Sequence, residues 1–233
     1  MADSPEESAE ITALCDGLLL NTGTLNPDKL SAMRKSGKMA NTLHHPVILD
    51  PVGAGASKFR TESIRLLLQE IQFSAIRANL SEIKALFCNA KNSHGVDAVS
   101  SDNITEKNLP DMIRLIKNIA DQQNCVIAVT GQIDIIADRN QAFCIQNGCS
   151  MMKSVTGAGC QLSALTAAFI TANPDQILKS TAAAVCTMGV CGEIALEHLE
   201  SYEGNASFRN KIIDAVYHLD SEILNQKADY QIF

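Results

Sequence analysis

Hydrophobic and polar positions follow two alternating patterns along the chain, one typical of buried strands and the other typical of helices. Short, continuously apolar runs predict strands at residues 17–21, 46–50, 73–77 and 125–131. Helical periodicity separates these runs, at residues 26–43, 60–71, 81–87 and 106–122. Strands that alternate with helices in this way predict an α/β fold, in which a largely parallel sheet carries helices on both faces.

Capping and turn residues mark the ends of several elements. Ser4, with Glu7 three residues later in a capping box, predicts that a first helix starts at Ser4. The segments 133–138 and 141–148 predict an antiparallel hairpin at one side of the sheet. The polar segment 88–103 is predicted to be a loop, and three further helical patterns fill the chain after residue 169.

The composition narrows the class of protein. The 233 residues are 46% hydrophobic and 19% charged, which predicts a single domain spanning residues 1–233 with a large core. A net charge of −7 and a pI near 5.2, with no basic run, argue against nucleic acid as a partner. The longest small-apolar stretch, residues 180–199, predicts a buried helix and no membrane span.

The N-terminus and the cysteines indicate the compartment. The acidic start lacks the order of charged and apolar residues that a signal peptide requires, so we expect a cytoplasmic protein. The eight cysteines lie mostly in apolar segments, which favours reduced core thiols over disulfides. The pairs Cys144/Cys149 and Cys186/Cys191 lack the close spacing and the nearby histidine of common zinc sites.

The loops that follow the predicted strands are rich in glycine and polar residues. In open parallel sheets, ligands bind beyond the carboxyl ends of the strands. This rule selects the loops at residues 21–24, 50–56, 77–82, 130–131 and 154–160. Together they predict a nucleotide site that faces an acceptor site.

The segment TGAGC, residues 156–160, predicts an anion site at the start of a helix. Gly157, Ala158 and Gly159 offer backbone N–H groups, and the helix dipole adds partial positive charge. Cys160 falls in the first turn, where a thiolate is favoured and accepts a proton. The alternatives are a small-residue helix start that serves close packing and a cysteine that acts as a small buried hydrophobe.

Asn79 and Glu82 lie three residues apart at a predicted strand-to-helix junction. This spacing directs both side chains at one site, and a glutamate holds Mg²⁺ through the water molecules that the ion retains. The alternative is that Asn79 ends the strand and Glu82 favours the helix N-terminus.

Five segments together resemble the hydroxyethylthiazole kinase family of the ribokinase-like superfamily. They are LLLNTGTLNPDKLSAMRKSGKMAN, PVILDPVGAGASKFRTES, IRANLSEI, VTGQIDIIAD and VTGAGC. The resemblance implies transfer of a phosphoryl group from ATP to the hydroxyl of 4-methyl-5-(2-hydroxyethyl)thiazole, a step in thiamine biosynthesis or salvage. It also implies Mg²⁺, a ribokinase-like fold and a homotrimer with active sites at subunit contacts.

By position in these motifs, the resemblance implies roles for particular residues. Arg77 and Thr130 are expected to bind ATP, and Met1 and Gly157 to bind the thiazole substrate. Cys160 is expected to be catalytic. The N-x-x-E element formed by Asn79 and Glu82 is expected to organise magnesium and phosphate.

Two features differ from the family pattern. Ala78 stands where the family usually has glycine, which is tolerated if the backbone φ is negative. The chain also opens at a segment that resembles the interior of the family, so we expect the family's first strand and helix, with part of the acceptor site, to be missing. The alternatives are therefore a non-catalytic nucleotide-binding remnant of such a kinase or a related small-alcohol kinase.

Overall fold

A computed structural model describes residues 3–88 and 103–233. These residues form one mixed sheet of seven strands, whose order in space is their order in the chain. The strands are β1 (Leu18–Asn21), β2 (Val47–Asp50), β3 (Ala75–Asn79), β4 (Val126–Thr130), β5 (Asp134–Ala137), β6 (Ala142–Ile145) and β7 (Tyr230–Ile232). The first four strands are parallel, and β5, β6 and β7 add antiparallel pairings at one side.

Helices cover both faces of this sheet. They are α1 (Ser8–Ala13), α2 (Pro27–Thr42), α3 (Lys58–Glu70), α4 (Leu80–Phe87), α5 (Leu109–Gln123), α6 (Ala158–Ala172), α7 (Ile177–Glu197), α8 (Asn205–His218) and α9 (Ser221–Lys227). Helices α2 to α5, which connect the parallel strands, contribute to one hydrophobic cluster, and helices α6 to α8 contribute to another.

Alternation along the buried strands divides their side chains between these two clusters. In β2, Val47 and Leu49 belong to the cluster beneath α2 and α3, whereas Ile48 belongs to the cluster beneath α6 and α7. All three are fully buried. Side chains of a parallel sheet that is covered on both faces must be apolar on both, which explains why these strands are continuous apolar runs in the sequence.

The predicted architecture and the hairpin are confirmed, with two differences in detail. The first helix begins at Ser8, because Ser4 lies in a turn and bonds to Glu6, so the capping box at Ser4 was wrong. Strand β7 was missed, since its three exposed residues carry no buried pattern. Most of the predicted loop 88–103 lies outside the described residues.

Helix α7 is the buried helix that the sequence predicts. The segment Pro174–Glu197 is long and apolar enough to cross a membrane by length and composition, but 67% of its most apolar window is buried inside the protein. It is therefore a core helix, and it packs against both α6 and α8. Cys186 and Cys191 lie inside it, and burial raises the pKa of each thiol to about 11.

Candidate active site

The four parallel strands each end in a polar residue, and these residues line one edge of the sheet. Asn21 pairs with Asp50 at the ends of β1 and β2, and Asn79 pairs with Thr130 at the ends of β3 and β4. The strand ends therefore bring together side chains that are more than a hundred residues apart in sequence. This is the edge at which open α/β sheets bind ligands.

The start of α6 faces this edge. Gly157 occupies the N-cap position with φ of 91°, in the left-handed region that favours glycine. The N–H group of Ala158 donates to the carbonyl of Val155 at 3.2 Å. The N–H groups of Gly159 and Cys160 have no acceptor among the described residues, so they are free to bind an anion.

This geometry refines the predicted anion loop. Gly157, Ala158 and Gly159 lie where the sequence predicts, at the N-terminus of a helix, but the Ala158 N–H is already used by the preceding turn. Gly159 also leaves room for Arg77, because a Cβ at position 159 would approach Arg77 Nη1 to 2.7 Å. The guanidinium of Arg77 thus packs directly against the start of α6.

Arg77 and Thr130 lie together in the site. The Arg77 Nη2 atom donates a hydrogen bond to Thr130 Oγ1 at 2.8 Å, and its Nη1 atom lies 3.8 Å from Asp50 Oδ1. The buried Nε atom of Arg77 has no hydrogen-bond partner among the described residues. An arginine held beside free helix N–H groups supplies the fixed positive charge that a phosphate site requires.

Cys160 is exposed in the first turn of α6, as the sequence predicts. Its Sγ atom accepts a hydrogen bond from Asn21 Nδ2 at 3.2 Å. The same Nδ2 atom donates to Asp50 Oδ2 at 2.7 Å, and Asp50 Oδ2 also accepts from the Ser163 hydroxyl at 2.8 Å. The cysteine therefore joins a polar network that spans β1, β2 and α6, so the reading of Cys160 as a buried hydrophobe is wrong.

Asp50 is fully buried at the centre of this network. Burial raises the pKa of its carboxyl group above the usual value, while the nearby Arg77 and the hydrogen bond from Ser163 act in the opposite direction. Its Oδ1 atom has no hydrogen-bond partner among the described residues. A buried carboxylate with one oxygen that faces an arginine without a hydrogen bond is typical of a functional site.

Asn79 and Glu82 form a complete capping box at the start of α4. Asn79 Oδ1 accepts from the Glu82 N–H at 2.9 Å, and Glu82 Oε2 accepts from the Asn79 N–H at 3.0 Å. Glu82 Oε1 accepts from the Gly53 N–H at 3.0 Å, which ties the glycine loop after β2 to α4. Asn79 and Glu82 therefore do stabilise the N-terminus of α4, which the sequence analysis gave as the alternative to a metal site. Each carboxylate oxygen of Glu82 already accepts one hydrogen bond.

A cleft of about 1000 Å³ opens beside these residues. Arg77, Asn79, Thr130 and Gly159 lie on its wall, and it extends to Met188 on α7. Asp134, at the start of β5, also lines it and accepts from the Gly131 N–H at 2.8 Å. Burial raises the pKa of Asp134 to about 6. The volume is that of a site for a cofactor-sized molecule.

The sequence identified most of these side chains but assigned no role to three of them. Asn21, Asp50 and Ser163 form the hydrogen-bonded network around Cys160, and the common signal for the first two is a polar residue that ends a buried strand. Ser163 lies three residues after Cys160 on α6 and carried no signal. Met1, expected to bind the acceptor, lies outside the described residues.

Comparison with known proteins identifies the family of this chain. A sequence profile described as the Hydroxyethylthiazole kinase family matches residues 1–222. A hydroxyethylthiazole kinase of Clostridium acetobutylicum is 48% identical over 233 residues, which cover all of this chain and 85% of that protein. A hydroxyethylthiazole kinase of Clostridium tetani is 39% identical over 98% of this chain and 82% of its own length.

Solved structures of known proteins also match the fold of this chain. The structure of a hydroxyethylthiazole kinase from Pyrococcus horikoshii OT3 matches with a TM-score of 0.85 and 32% identity, over 100% of this chain and 83% of that one. A ribokinase-like superfamily protein from Enterococcus faecalis, at 14% identity, matches with a TM-score of 0.59 over 91% of this chain and 67% of its own. The second match concerns the fold alone. The chain therefore belongs to the hydroxyethylthiazole kinase family and has its ribokinase-like fold.

Proposed function

We propose that this protein transfers the γ-phosphoryl group of ATP to the hydroxyl of 4-methyl-5-(2-hydroxyethyl)thiazole, a step that serves thiamine biosynthesis or salvage. The observation that carries the proposal is the position of Cys160. Its sulfur lies in the first turn of α6, next to the free N–H groups of that turn and to the guanidinium of Arg77. This position suits a proton acceptor beside a phosphate site, and relatives of the chain are named hydroxyethylthiazole kinase.

ATP occupies the cleft of about 1000 Å³ in this proposal. Arg77 and Thr130, joined by a hydrogen bond of 2.8 Å, contact its phosphates. The free N–H groups of Gly159 and Cys160 bind the γ-phosphoryl group as it moves, and their fixed orientation stabilises the charge that spreads over its oxygens. Gly157 contacts the acceptor alcohol from the exposed turn before α6.

Cys160 accepts the proton of the alcohol. As the alcohol oxygen bonds to the γ-phosphorus and the bond from phosphorus to the ADP oxygen breaks, the hydroxyl proton passes to Sγ. Proton transfer to a positioned side chain contributes roughly 10²–10⁴-fold to a rate. The N-terminus of α6 favours negative charge at this position before the proton arrives.

The residues fit Mg²⁺ held through water. Both Glu82 oxygens already accept backbone N–H groups, from Gly53 and Asn79, so their remaining lone pairs suit hydrogen bonds to coordinated water better than direct ligation. Among the residues that the structure describes, no three His, Cys, Asp or Glu side chains cluster as ligands. When bound with ATP, Mg²⁺ supplies charge neutralisation on the phosphates, and Asn79 and Glu82 orient its water molecules.

The proposal extends to assembly. Several large apolar side chains are exposed, and Ile213 and Tyr217 lie four residues apart on α8, at 51% and 84% exposure. Such side chains on one helix face suit burial between subunits, which supports the homotrimer in this proposal.

Release of ADP, measured with and without the thiazole alcohol, tests the function. Turnover that depends on the thiazole supports the proposal. ATP binding without turnover would indicate a nucleotide-binding protein that is not an enzyme, and turnover only with other alcohols would indicate a related small-alcohol kinase.

A further inference from the structure

The side-chain amide of Asn21 has a fixed orientation. Its Oδ1 atom accepts from the backbone N–H of Gly23 at 2.8 Å, so the amide nitrogen must point the other way. From there Nδ2 donates to Asp50 Oδ2 at 2.7 Å and to Cys160 Sγ at 3.2 Å. One acceptor and two donors are thus all used, by three different segments of the chain.

We propose that Asn21 is a positioning residue for Cys160: it holds the sulfur at the phosphate site and stabilises the anionic form that accepts the proton. This inference rests on the proposed function, in which Cys160 is the proton acceptor. It assigns the role to a residue on β1, 139 positions away in sequence from its partner.

The backbone that carries Asn21 is held in place by the sheet and the core. Asn21 ends β1 in register with Asp50, and the residue before it, Leu20, is buried in the core. Cys160, in contrast, is exposed, and the side chain of an exposed cysteine changes rotamer readily. A hydrogen bond from a fixed donor selects one rotamer, the one that faces the strand ends.

Charge explains why an amide is needed there. The carboxylate of Asp50 and a thiolate at Cys160 both carry negative charge, and both side chains approach the same nitrogen. Two N–H groups donate to two anions and keep them apart, whereas a carboxylate at this position would place three acids in contact. Hydrogen bonds to a charged acceptor are about twice as strong as neutral ones.

Asn21→Asp isolates this role from a purely structural one. The new side chain has the same shape and keeps an oxygen for the Gly23 N–H, but it has no donor for Cys160. Asn41→Asp is the matched control, because Asn41 exchanges two hydrogen bonds with the backbone of Gln72 at the opposite end of the sheet. Asn21→Ala, which removes the donor without adding charge, is the second variant.

The first readout is alkylation of Cys160 by iodoacetamide at pH 7.5, followed by mass spectrometry, with the exposed Cys15 as the internal reference. It requires no substrate, so it remains valid if the proposed function fails. We expect the ratio of the Cys160 rate to the Cys15 rate to fall about tenfold in Asn21→Asp, less in Asn21→Ala, and not in Asn41→Asp. An unchanged ratio in both Asn21 variants would overturn the proposal.

The second readout is a double-mutant cycle on turnover. We expect Asn21→Asp to lower kcat about tenfold or more while KM for ATP changes less than about twofold. In a Cys160→Ala background the same substitution should change the residual kcat by less than about twofold, because the partner is gone. Equal factors in the two backgrounds would show that Asn21 acts independently of Cys160, which would contradict the proposal.

Discussion

At the scale of single residues, the candidate site depends on a few side chains whose partners are fixed by geometry. Among the residues that the structure describes, Cys160 has one hydrogen-bond donor, Asn21, and it lies at the end of a helix that favours negative charge. Arg77 packs against Gly159, where a Cβ would approach its Nη1 atom to 2.7 Å, and donates to Thr130 Oγ1. Single substitutions at these positions therefore distinguish effects on proton transfer, on phosphate binding and on folding.

Cys160 substitutions test proton transfer. We expect Cys160→Ala to lower kcat by about 10² or more with ATP binding nearly intact, because only the proton acceptor is lost. Cys160→Asp should retain substantial activity, since a carboxylate also accepts a proton, and Cys160→Ser should behave like alanine. Steady-state kinetics and nucleotide titration measure the two effects. An alanine variant with wild-type turnover would show that the thiol has no role in the reaction.

Glycine substitutions at the start of α6 distinguish the effect of moving the Arg77 guanidinium from the effect of backbone strain. We expect Gly159→Ala to raise KM for ATP severalfold without loss of folding, because its Cβ displaces the flexible end of Arg77. Gly157→Ala has open space around its Cβ but a φ of 91°, so it should lower the melting temperature by strain, with a cost of about 1–3 kcal/mol.

Gly204→Ala is the control for this pair, because its Cβ also meets nothing within 4 Å and its φ is −118°. Kinetics and thermal unfolding of the three variants give the comparison. A Gly159→Ala variant whose KM for ATP equals that of Gly204→Ala would remove Arg77 from the phosphate site.

Asp134 gives the site a dependence on pH. Burial raises its pKa from 3.8 to about 6, so the folded state holds this proton more tightly than the unfolded state. The contribution of Asp134 to stability is therefore full below about pH 4 and is lost as the pH rises through about 6. We expect Asp134→Asn to raise the melting temperature relative to wild type at pH 8, while it keeps an oxygen for the Gly131 N–H.

The difference between Asp134→Asn and wild type should shrink as the pH falls from 6 to 4. Thermal unfolding of both proteins between pH 4 and 8 measures it. A difference that stays constant over this range would mean that Asp134 ionises as it does in water.

At the scale of elements, the sequence predicts what depends on local pattern. Apolar runs located β1 to β4, and the helical periodicity at residues 26–43 located α2, at whose start Asn26 Oδ1 accepts from the Lys29 N–H at 2.9 Å. Ala78 is tolerated where the family has glycine because it lies inside β3 with a φ outside the left-handed region. These features are decided by residues close in sequence.

Features that depend on distant partners were not predictable in the same way. Strand β7 exists because Tyr230 to Ile232 pair with β6, and none of these residues is buried. The hydrogen bond from Asn21 to Cys160 joins residues 139 positions apart in sequence. The spacing of hydrophobic and polar residues along the chain carries no information on such a pair. The sequence shows polar residues where the apolar runs of the parallel strands end, whereas the structure shows which of these residues touch.

Helix α4 and the loop after β2 are coupled through Glu82. We expect Glu82→Gln to weaken the magnesium dependence of turnover more than it weakens binding of the thiazole, because Gln has one acceptor oxygen for two backbone N–H groups and none left for a coordinated water. Titration of Mg²⁺ at saturating ATP measures the first effect, and the KM for the thiazole alcohol measures the second.

The control for Glu82→Gln is the cap of α3, where Ser57 Oγ accepts from the Arg60 N–H at 3.2 Å. Ser57→Ala removes a helix cap, at about 1 kcal/mol, without touching Asn79 or Glu82. If both variants give the wild-type magnesium curve, Glu82 is a helix cap and does not organise the metal.

At the scale of the whole molecule, one chain supplies all the polar contacts described above around the proposed phosphate site. Helices α2 to α5 cover one face of the sheet, and α6 on the other face places Gly159 and Cys160 at the strand ends. Arg77 and Cys160 therefore belong to the same site within the same chain, whatever assembly the protein forms.

This arrangement predicts the outcome of mixing two inactive variants. We expect the protein to elute as a trimer, with a mass about three times 25.1 kDa. Chains that carry Cys160→Ala and chains that carry Arg77→Ala, co-expressed with different affinity tags and purified by both, should show no recovery of turnover. Each site in such a mixed assembly lacks one of the two residues, since Arg77 contacts the first turn of α6 of its own chain.

Wild-type chains co-expressed with Cys160→Ala chains provide the control, and their activity should follow the fraction of wild-type subunits. Recovery of activity in the doubly inactive mixture, toward the level of that control, would require Arg77 of one subunit to serve Cys160 of another. The contact between Gly159 and Arg77 within the chain would then be incidental, and the phosphate site proposed for this fold would have to be rebuilt across the subunit interface.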